Sequence, residues 1–108
     1  MKKTIPHLTL DTFTSTNEGV TLLDFYASWC GPCRALAPTL EALQDDFARE
    51  GVRIAKVDID DQAELAERFG VTSIPTLIVL RDGVEVRRHV GAARPDALRK
   101  LVEVQASA

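Results

Sequence analysis

Several features that define whole classes of protein are scarce or missing in this sequence of 108 residues. No apolar run approaches the length of a membrane span, and two cysteines are too few for a small fold held together by disulfides. An excess of positive charge is also missing, because 13 Lys and Arg face 16 Asp and Glu and leave a net charge of -3. Since no positive field is available to hold phosphate groups, we expect neither a nucleic-acid partner nor a membrane partner.

A recognisable export signal is missing as well. Met1, Lys2 and Lys3 resemble the basic start of a signal peptide, but residues 4–11 supply no apolar segment and no cleavage site. We therefore interpret Met1 as the native start and expect a cytoplasmic protein. The length fits a single domain over residues 1–108 and leaves no room for a second core of useful size.

What is present is a regular alternation of strand and helix patterns. Residues 20–27 form a nearly continuous apolar, β-prone run, which suits a strand buried on both faces. Apolar positions recur at helical spacing over residues 33–49, where Pro38 predicts a kink. The other predicted elements are strands at 52–59, 76–80 and 85–90, a helix at 62–69, and a carboxyl-terminal helix that begins near Pro95 and Asp96.

The connections between these elements constrain the sheet. The first two strands and the helix between them form a βαβ unit. Asp82-Gly83 stands between two β-prone runs and is the preferred sequence of a tight type I′ hairpin, so the last two strands should be antiparallel. The amino-terminal part is less regular: residues 5–8 can form a strand, whereas residues 11–18 form a poor helix that only Phe13 anchors.

The two cysteines stand as Cys30-Gly31-Pro32-Cys33 where a buried strand meets a helix. The free N–H groups and the positive dipole end of a helix favour a thiolate, so the pKa of Cys30 should fall and Cys30 is the candidate nucleophile. One helical turn later, Cys33 faces the same side at greater depth and is close enough to form a disulfide. We therefore interpret Cys33 as the resolving residue.

Two other interpretations of a CxxC pair are less well supported. A structural zinc site needs four ligands, and the other candidates, His7 and His89, lie outside any zinc-finger spacing, so we expect no metal. Two inert cysteines in the core are disfavoured because Gly31-Pro32 and the preceding Trp29 describe an exposed turn.

The segment Trp29-Cys30-Gly31-Pro32-Cys33 resembles the active-site motif of the thioredoxin family. The resemblance implies an α/β thioredoxin fold, with a central mixed five-stranded sheet flanked by helices on both faces. The chain departs from the family pattern in its short, polar first helix and at Arg94, where the family usually has a better helix cap. Further matches in order and spacing are Asp24-Phe25, Ala37-Pro38, Lys56-Val57-Asp58, Ile74-Pro75-Thr76 and Val90-Gly91.

Asp24 interrupts an apolar run, where burial would desolvate its carboxylate and raise its pKa. A group that is costly to bury suggests a use. The resemblance implies that Asp24 lies beneath Cys33 and relays its proton through a water, with Lys56 nearby to balance the charge. The alternative is an aspartate on an exposed strand edge.

Pro75 directly precedes the strongest predicted strand, at a site where proline cannot donate to a strand ladder. The resemblance implies a cis Ile74-Pro75 bond packed against the cysteine pair, whereas a trans proline at the start of a strand is the general alternative. The backbone of Ile74 would then be free to pair with an extended substrate segment. The expected substrate-binding patch around Cys30 consists of Trp29, Gly31, Pro32, Ile74, Pro75, Gly91 and Ala92.

These features predict a thiol-disulfide oxidoreductase. The thiolate of Cys30 would attack a substrate disulfide, and Cys33, deprotonated with help from Asp24, would attack Cys30 and release the reduced substrate. The resemblance implies disulfide-containing protein substrates, thioredoxin reductase drawing on NADPH as the electron source, a monomer, and no bound cofactor beyond the redox-active pair.

The direction of the reaction depends on the two residues between the cysteines. Gly31-Pro32 adds no positive charge beside the Cys30 thiolate, so the reduced form is less favoured and the protein should be a reductant. Two alternatives remain open: an oxidase or isomerase of the same fold, and a binding module that uses the apolar patch without its thiols.

Overall fold

The computed structural model describes residues 4–106, with side chains for residues 4–103. Met1, Lys2 and Lys3, on which the interpretation of the native start rests, lie outside the described residues. Within the described range, no helix is long and apolar enough to cross a membrane.

The order of elements follows the predicted alternation. Apart from the irregular amino-terminal part, each predicted strand and helix is present, and its bounds differ by at most two residues from the prediction. The weak segment before the first strand forms only a 3₁₀ helix, Phe13–Asn17. The strands are β1 (Val20–Tyr26), β2 (Val52–Asp58), β3 (Thr76–Arg81) and β4 (Val84–Val90), and the helices are α1 (Gly31–Arg49), α2 (Ala63–Arg68) and α3 (Pro95–Ala106).

The strands form a mixed sheet in the order β2-β1-β3-β4. β1 pairs with β2 in parallel, as the βαβ unit predicts, and β3 pairs antiparallel with both β1 and β4. Asp82 and Gly83 join β3 to β4 with φ angles of 51° and 85°. Positive φ at both positions is the requirement of a type I′ turn, so the hairpin prediction is confirmed.

The expected five-stranded sheet is wrong, because the described residues form a four-stranded one. Residues 5–8 make one isolated parallel bridge, between His7 and Lys56. The Leu8 N–H donates to the Lys56 carbonyl and the Lys56 N–H donates to the Pro6 carbonyl, each at 2.8 Å. Since Pro6 has no N–H of its own, the next ladder bond towards the start of β2 cannot form and the segment does not become a strand.

Helices cover both faces of the sheet, as expected. Successive strand residues point to opposite faces, so Leu22, Asp24 and Tyr26 of β1 share one face and Leu23 and Phe25 share the other. The face of Leu22 packs under α1 and α3, together with Leu36, Leu40, Phe47, Val52, Leu77, Leu98 and Val102. The opposite face packs under α2 and the 3₁₀ helix, through Leu65, Ile78, Leu80, Phe13 and Phe69.

Candidate active site

The cysteine pair lies where the loop after β1 enters α1. Cys30 is the N-cap of α1, and its sulfur accepts a hydrogen bond from the Cys33 backbone N–H at 3.2 Å. Pro32 lies in the first turn, where a helix has no partner for a backbone N–H and a missing one costs nothing. The sulfur of Cys30 therefore lies at the free amides and the positive dipole end of α1, and both stabilise a thiolate.

Cys30 and Cys33 form a disulfide, with their Cα atoms 5.3 Å apart. Both side chains are buried, with exposed fractions of 5% for Cys30 and 3% for Cys33. The greater depth expected for Cys33 is therefore small in the disulfide form. The pair packs with Ala27 and against Tyr26, Ile59 and Ile74. The described part of the chain contains no group of three or more His, Cys, Asp or Glu side chains placed to hold a metal ion.

Trp29 is the most exposed large apolar side chain beside the cysteines. Its exposed fraction is 66%, and its indole N–H donates to Oδ2 of Asp60 at 2.8 Å. This hydrogen bond orients the ring on the surface next to Cys30. An exposed aromatic ring with its N–H satisfied is typical of a surface that receives a protein partner.

Of the other predicted patch residues, Gly31 and Pro32 lie between the cysteines in the first turn of α1, and the rest come from two loops that meet beside the pair. The Ile74-Pro75 bond is cis, as expected, and the Ile74 carbonyl oxygen lies 4.0 Å from the Cys30 sulfur. The Gly91 N–H donates to the Pro75 carbonyl at 2.8 Å. Gly31, Pro32 and Ala92 are exposed, Ile74 and Gly91 are half-buried, Pro75 is buried, and Pro32 and Ala92 line one shallow groove.

Asp24 is fully buried on the face of the sheet that α1 covers. β1 lies between β2 and β3, so the alternative of an aspartate on an exposed strand edge is wrong. Neither carboxylate oxygen has a hydrogen-bond partner among the described residues. Burial raises the pKa of Asp24 from 3.8 to about 6, and the positive charge of Lys56 opposes that rise. An unpaired carboxyl with a pKa near neutrality can accept and return a proton at physiological pH.

Lys56 lies directly opposite Asp24 in the parallel register of β1 and β2. Its ammonium group lies over the ring of Tyr26, 4.6 Å from the ring centroid. The Tyr26 hydroxyl is 3.1 Å from Nδ1 of His7, and the two rings meet edge to face at 5.7 Å. Burial raises the pKa of Tyr26, and nearby carboxylates, first Asp58, raise it further.

Sequence reasoning missed Tyr26 and considered His7 only as a metal ligand. One signal was available for Tyr26. It follows Asp24 by two residues, which places both on the same face of β1, and it stands just before the turn to the cysteines. No comparable signal was available for His7, since its position depends on a single bridge to β2.

Comparisons with known proteins agree with this geometry. The family model described as Thioredoxin matches residues 4–104. The thioredoxin of Bacillus subtilis (strain 168) is 48% identical over 87 residues, covering 81% of this chain and 83% of that protein. The thioredoxin of Chlamydia muridarum (strain MoPn / Nigg) is 51% identical over 88 residues, covering 82% and 84%. The solved structure of a mutant thioredoxin from Halobacterium salinarum NRC-1 has a TM-score of 0.83 and 35% identity, and the match covers 92% of this chain and 88% of that one.

Proposed function

We propose a reaction cycle for this chain, which belongs to the thioredoxin family and is a thiol-disulfide oxidoreductase that reduces protein disulfides through Cys30 and Cys33. The cycle begins with both cysteines reduced and Cys30 as the thiolate. Its sulfur attacks one sulfur of a substrate disulfide, so that a bond forms between Cys30 and the substrate while the substrate S–S bond breaks. The other substrate sulfur leaves as a thiolate.

The second step returns the disulfide to the protein. Cys33 gives its proton to the Asp24 carboxylate through an intervening water, and its sulfur attacks the sulfur of Cys30. The Cys30–Cys33 bond forms, and the second substrate sulfur leaves reduced. Two features support Asp24 as the base: its raised pKa of about 6 and the absence of a hydrogen-bond partner for either oxygen among the described residues. Lys56 balances the charge of the carboxylate in part, through its nearby positive charge and without a direct ion pair.

The electrons must come from outside the chain. We assign that role to thioredoxin reductase drawing on NADPH, with disulfide-containing proteins as substrates and no cofactor bound to this chain. The cysteine pair alone carries the two electrons. A cytoplasmic monomer is part of the same proposal, because a reducing compartment keeps such a pair available as thiols.

Substrate binding is proposed for the surface around Cys30. An extended segment on either side of the substrate cysteine would lie against Trp29, Gly31, Pro32 and Ala92 and pair with the backbone beside Ile74. The 4.0 Å separation between the Ile74 carbonyl oxygen and the Cys30 sulfur supports this placement, since backbone pairing there brings the substrate sulfur to the nucleophile. Pro75 and Gly91 hold the two loops together through their 2.8 Å hydrogen bond.

The observation that carries the proposal is the position of Cys30 as the N-cap of α1, with the Cys33 N–H directed at its sulfur. The decisive experiment uses Cys33→Ser, in which the mixed disulfide cannot be resolved. Incubation with oxidised substrate proteins should trap covalent complexes through Cys30 that dithiothreitol releases. Cys30→Ser is the matched control and should trap nothing. Trapping by Cys30→Ser but not by Cys33→Ser would reverse the two roles.

The remaining alternatives separate in activity assays. A reductant reduces insulin disulfides with electrons from dithiothreitol, whereas an oxidase or isomerase of this fold refolds a reduced, disulfide-requiring substrate faster. A binding module keeps its partner when Cys30 is replaced with Ser, while a reductase loses its turnover. We expect fast insulin reduction that Cys30→Ser abolishes.

A further inference from the structure

Asp24 and Lys56 do not form an ion pair although their backbones lie side by side. The two residues are paired in the register of β1 and β2 and lie on the same face of the sheet. Both oxygens of Asp24 nevertheless lack a hydrogen-bond partner among the described residues. A buried carboxylate normally attracts a neighbouring amine strongly, so the other contacts of Lys56 bear on why the pair does not form.

The ammonium of Lys56 lies instead over the ring of Tyr26. The Lys56 ammonium lies 4.6 Å from the ring centroid, within the range of a cation–π contact. Tyr26 is two residues beyond Asp24 on the same strand face, so the lysine side chain leans along the sheet towards the cysteines instead of across to the carboxyl. The contact leaves Lys56 half-buried, which keeps part of the hydration of the ammonium.

The ring itself is fixed from the other side by His7. The Tyr26 hydroxyl and His7 Nδ1 are 3.1 Å apart, and the rings pack edge to face. The backbone of His7 bridges to the backbone of Lys56. The three side chains therefore rise from adjacent positions, and the ring of Tyr26 contacts both His7 and Lys56.

We propose that Tyr26 is a positioning residue, which holds the Lys56 ammonium away from Asp24 and so keeps the carboxyl free to accept the proton of Cys33. The inference rests on the proposed function of Asp24 as the base. A direct ion pair with Lys56 would stabilise the carboxylate and make it a weaker proton acceptor. Tyr26 prevents that pairing through its contact with Lys56 and takes no part in the exchange of sulfurs.

Other groups around the carboxyl also influence its titration. β3 presents only the apolar Leu77 next to Asp24. The disulfide form removes the thiol of Cys33 from the titration, so the oxidised protein is the form to study. β1 and β2 contribute Tyr26, Lys56 and Asp58 to this face, and His7 and Asp61 lie close to Tyr26. β4 adds His89 and Arg87, which pair with Leu77 and Val79.

The test is the titration of the Asp24 carboxyl in oxidised protein, followed by carbon NMR between pH 4 and pH 9. Tyr26→Leu removes the ring, and we expect the midpoint to fall by about one pH unit as Lys56 closes on the carboxylate. Tyr26→Phe keeps the cation–π contact and loses only the hydroxyl contact with His7, so the midpoint should move much less than in Tyr26→Leu. Lys56→Met removes the opposing charge and should raise the midpoint, and adding Tyr26→Leu to Lys56→Met should then have no effect.

A control distinguishes this effect from general loss of packing. Phe69→Leu removes a half-buried aromatic ring on the opposite face of the sheet and should lower stability without moving the midpoint. If Tyr26→Leu does not fold, Tyr26→Val, a better strand former, takes its place. The proposal is overturned if the midpoint of Asp24 is unchanged or raised in Tyr26→Leu, or in Tyr26→Val where that variant replaces it. It is also overturned if the downward shift persists in the Lys56→Met background.

Activity separates this inference from the proposed function. The insulin-reduction rate of Tyr26→Leu at pH 7 should fall several-fold, because Asp24 becomes a weaker base. The double variant Tyr26→Leu/Asp24→Asn should be as fast as Asp24→Asn alone, because the base is then absent from both proteins. Full activity of Asp24→Asn would refute the base role of Asp24. The NMR midpoints of the Asp24-containing variants would still decide whether Tyr26 controls the position of Lys56.

Discussion

Replacing Asp24 with Asn should stabilise the oxidised protein, and the gain should depend on pH. The carboxyl is fully buried and neither oxygen has a hydrogen-bond partner among the described residues. Its ionised form is therefore poorly accommodated in the folded protein but well hydrated in the unfolded chain. The substitution removes that ionisation while keeping nearly the same side-chain volume.

The magnitude follows from the difference between the folded and unfolded pKa values. Burial raises the folded pKa of Asp24 from 3.8 to about 6. A difference of about two units corresponds to roughly 3 kcal/mol at most. Because the folded state binds the proton more tightly, the free energy of unfolding falls as the pH rises from about 4 to about 6. The penalty is absent below the unfolded pKa and complete above the folded one.

Urea denaturation of both oxidised proteins from pH 3.5 to pH 8 measures the effect. Asp24→Asn should exceed the wild type by about 1–3 kcal/mol above pH 7, and the difference should shrink towards pH 4. The buried amide also lacks partners, but its cost is the same at every pH and leaves the slope intact. Asp11→Asn, at an exposed position, controls for the loss of one negative charge. A difference that is flat with pH, or that grows on acidification, would refute the reasoning.

Three other measurements test separate parts of the structure. Limiting iodoacetamide at neutral pH should label Cys30 before Cys33 in the reduced protein, because Cys30 caps the helix; mass mapping that shows equal labelling would contradict this. Asp60→Ala should shift the fluorescence of Trp29, the single tryptophan, with a stability change below about 1 kcal/mol, and an unchanged spectrum would argue against the indole hydrogen bond. Gly83→Ala should lower the free energy of unfolding in urea melts by about 1–2 kcal/mol, because the φ of 85° at Gly83 disfavours a side chain and a new Cβ would lie 3.0 Å from the side-chain oxygen of Asn17. Full stability of this variant would contradict the turn assignment.

Most of the fold could be predicted from local sequence because its signals are local. The run at Val20–Tyr26 carries apolar side chains on both faces, which is typical of a central strand, and that strand does lie between two others. Asp82-Gly83 encodes its turn through backbone conformations that few other residue pairs adopt. In both cases the chemistry of a few neighbouring residues determines the structure.

The fifth strand was mispredicted because strand formation depends on partners as well as on composition. Residues 5–8 are compatible with a strand, but a strand also needs a continuous ladder. Pro6 cannot donate a hydrogen bond, and a single bridge between His7 and Lys56 is all that remains. The burial of the cysteines could not be predicted from local sequence either, because residues distant in sequence cover both sulfurs.

The candidate site divides in the same way. The cysteine motif and the buried position of Asp24 are visible in sequence, because a charge within an apolar strand is conspicuous. The contact between Lys56 and Tyr26 is not visible, since it depends on the register of two strands and on the direction in which one long side chain leans. Register follows from the whole sheet, so a single sequence does not reveal which of two neighbours a lysine chooses.

That choice relates stability to catalysis at one position. An ion pair between Lys56 and Asp24 would offset part of the cost of burying the carboxylate, but the same pairing would lower its affinity for a proton. With the lysine on the Tyr26 ring, its charge offsets only part of the cost of burying the carboxylate, and the proposed base keeps a pKa of about 6. Tyr26→Leu should allow Lys56 to pair with Asp24. Its loss of stability at pH 7 should therefore be smaller than that of Phe69→Leu, which removes a half-buried ring elsewhere, and its activity should fall at the same time. A loss of stability as large as that of Phe69→Leu, with activity retained, would contradict this link, because one carboxylate would then not determine both properties.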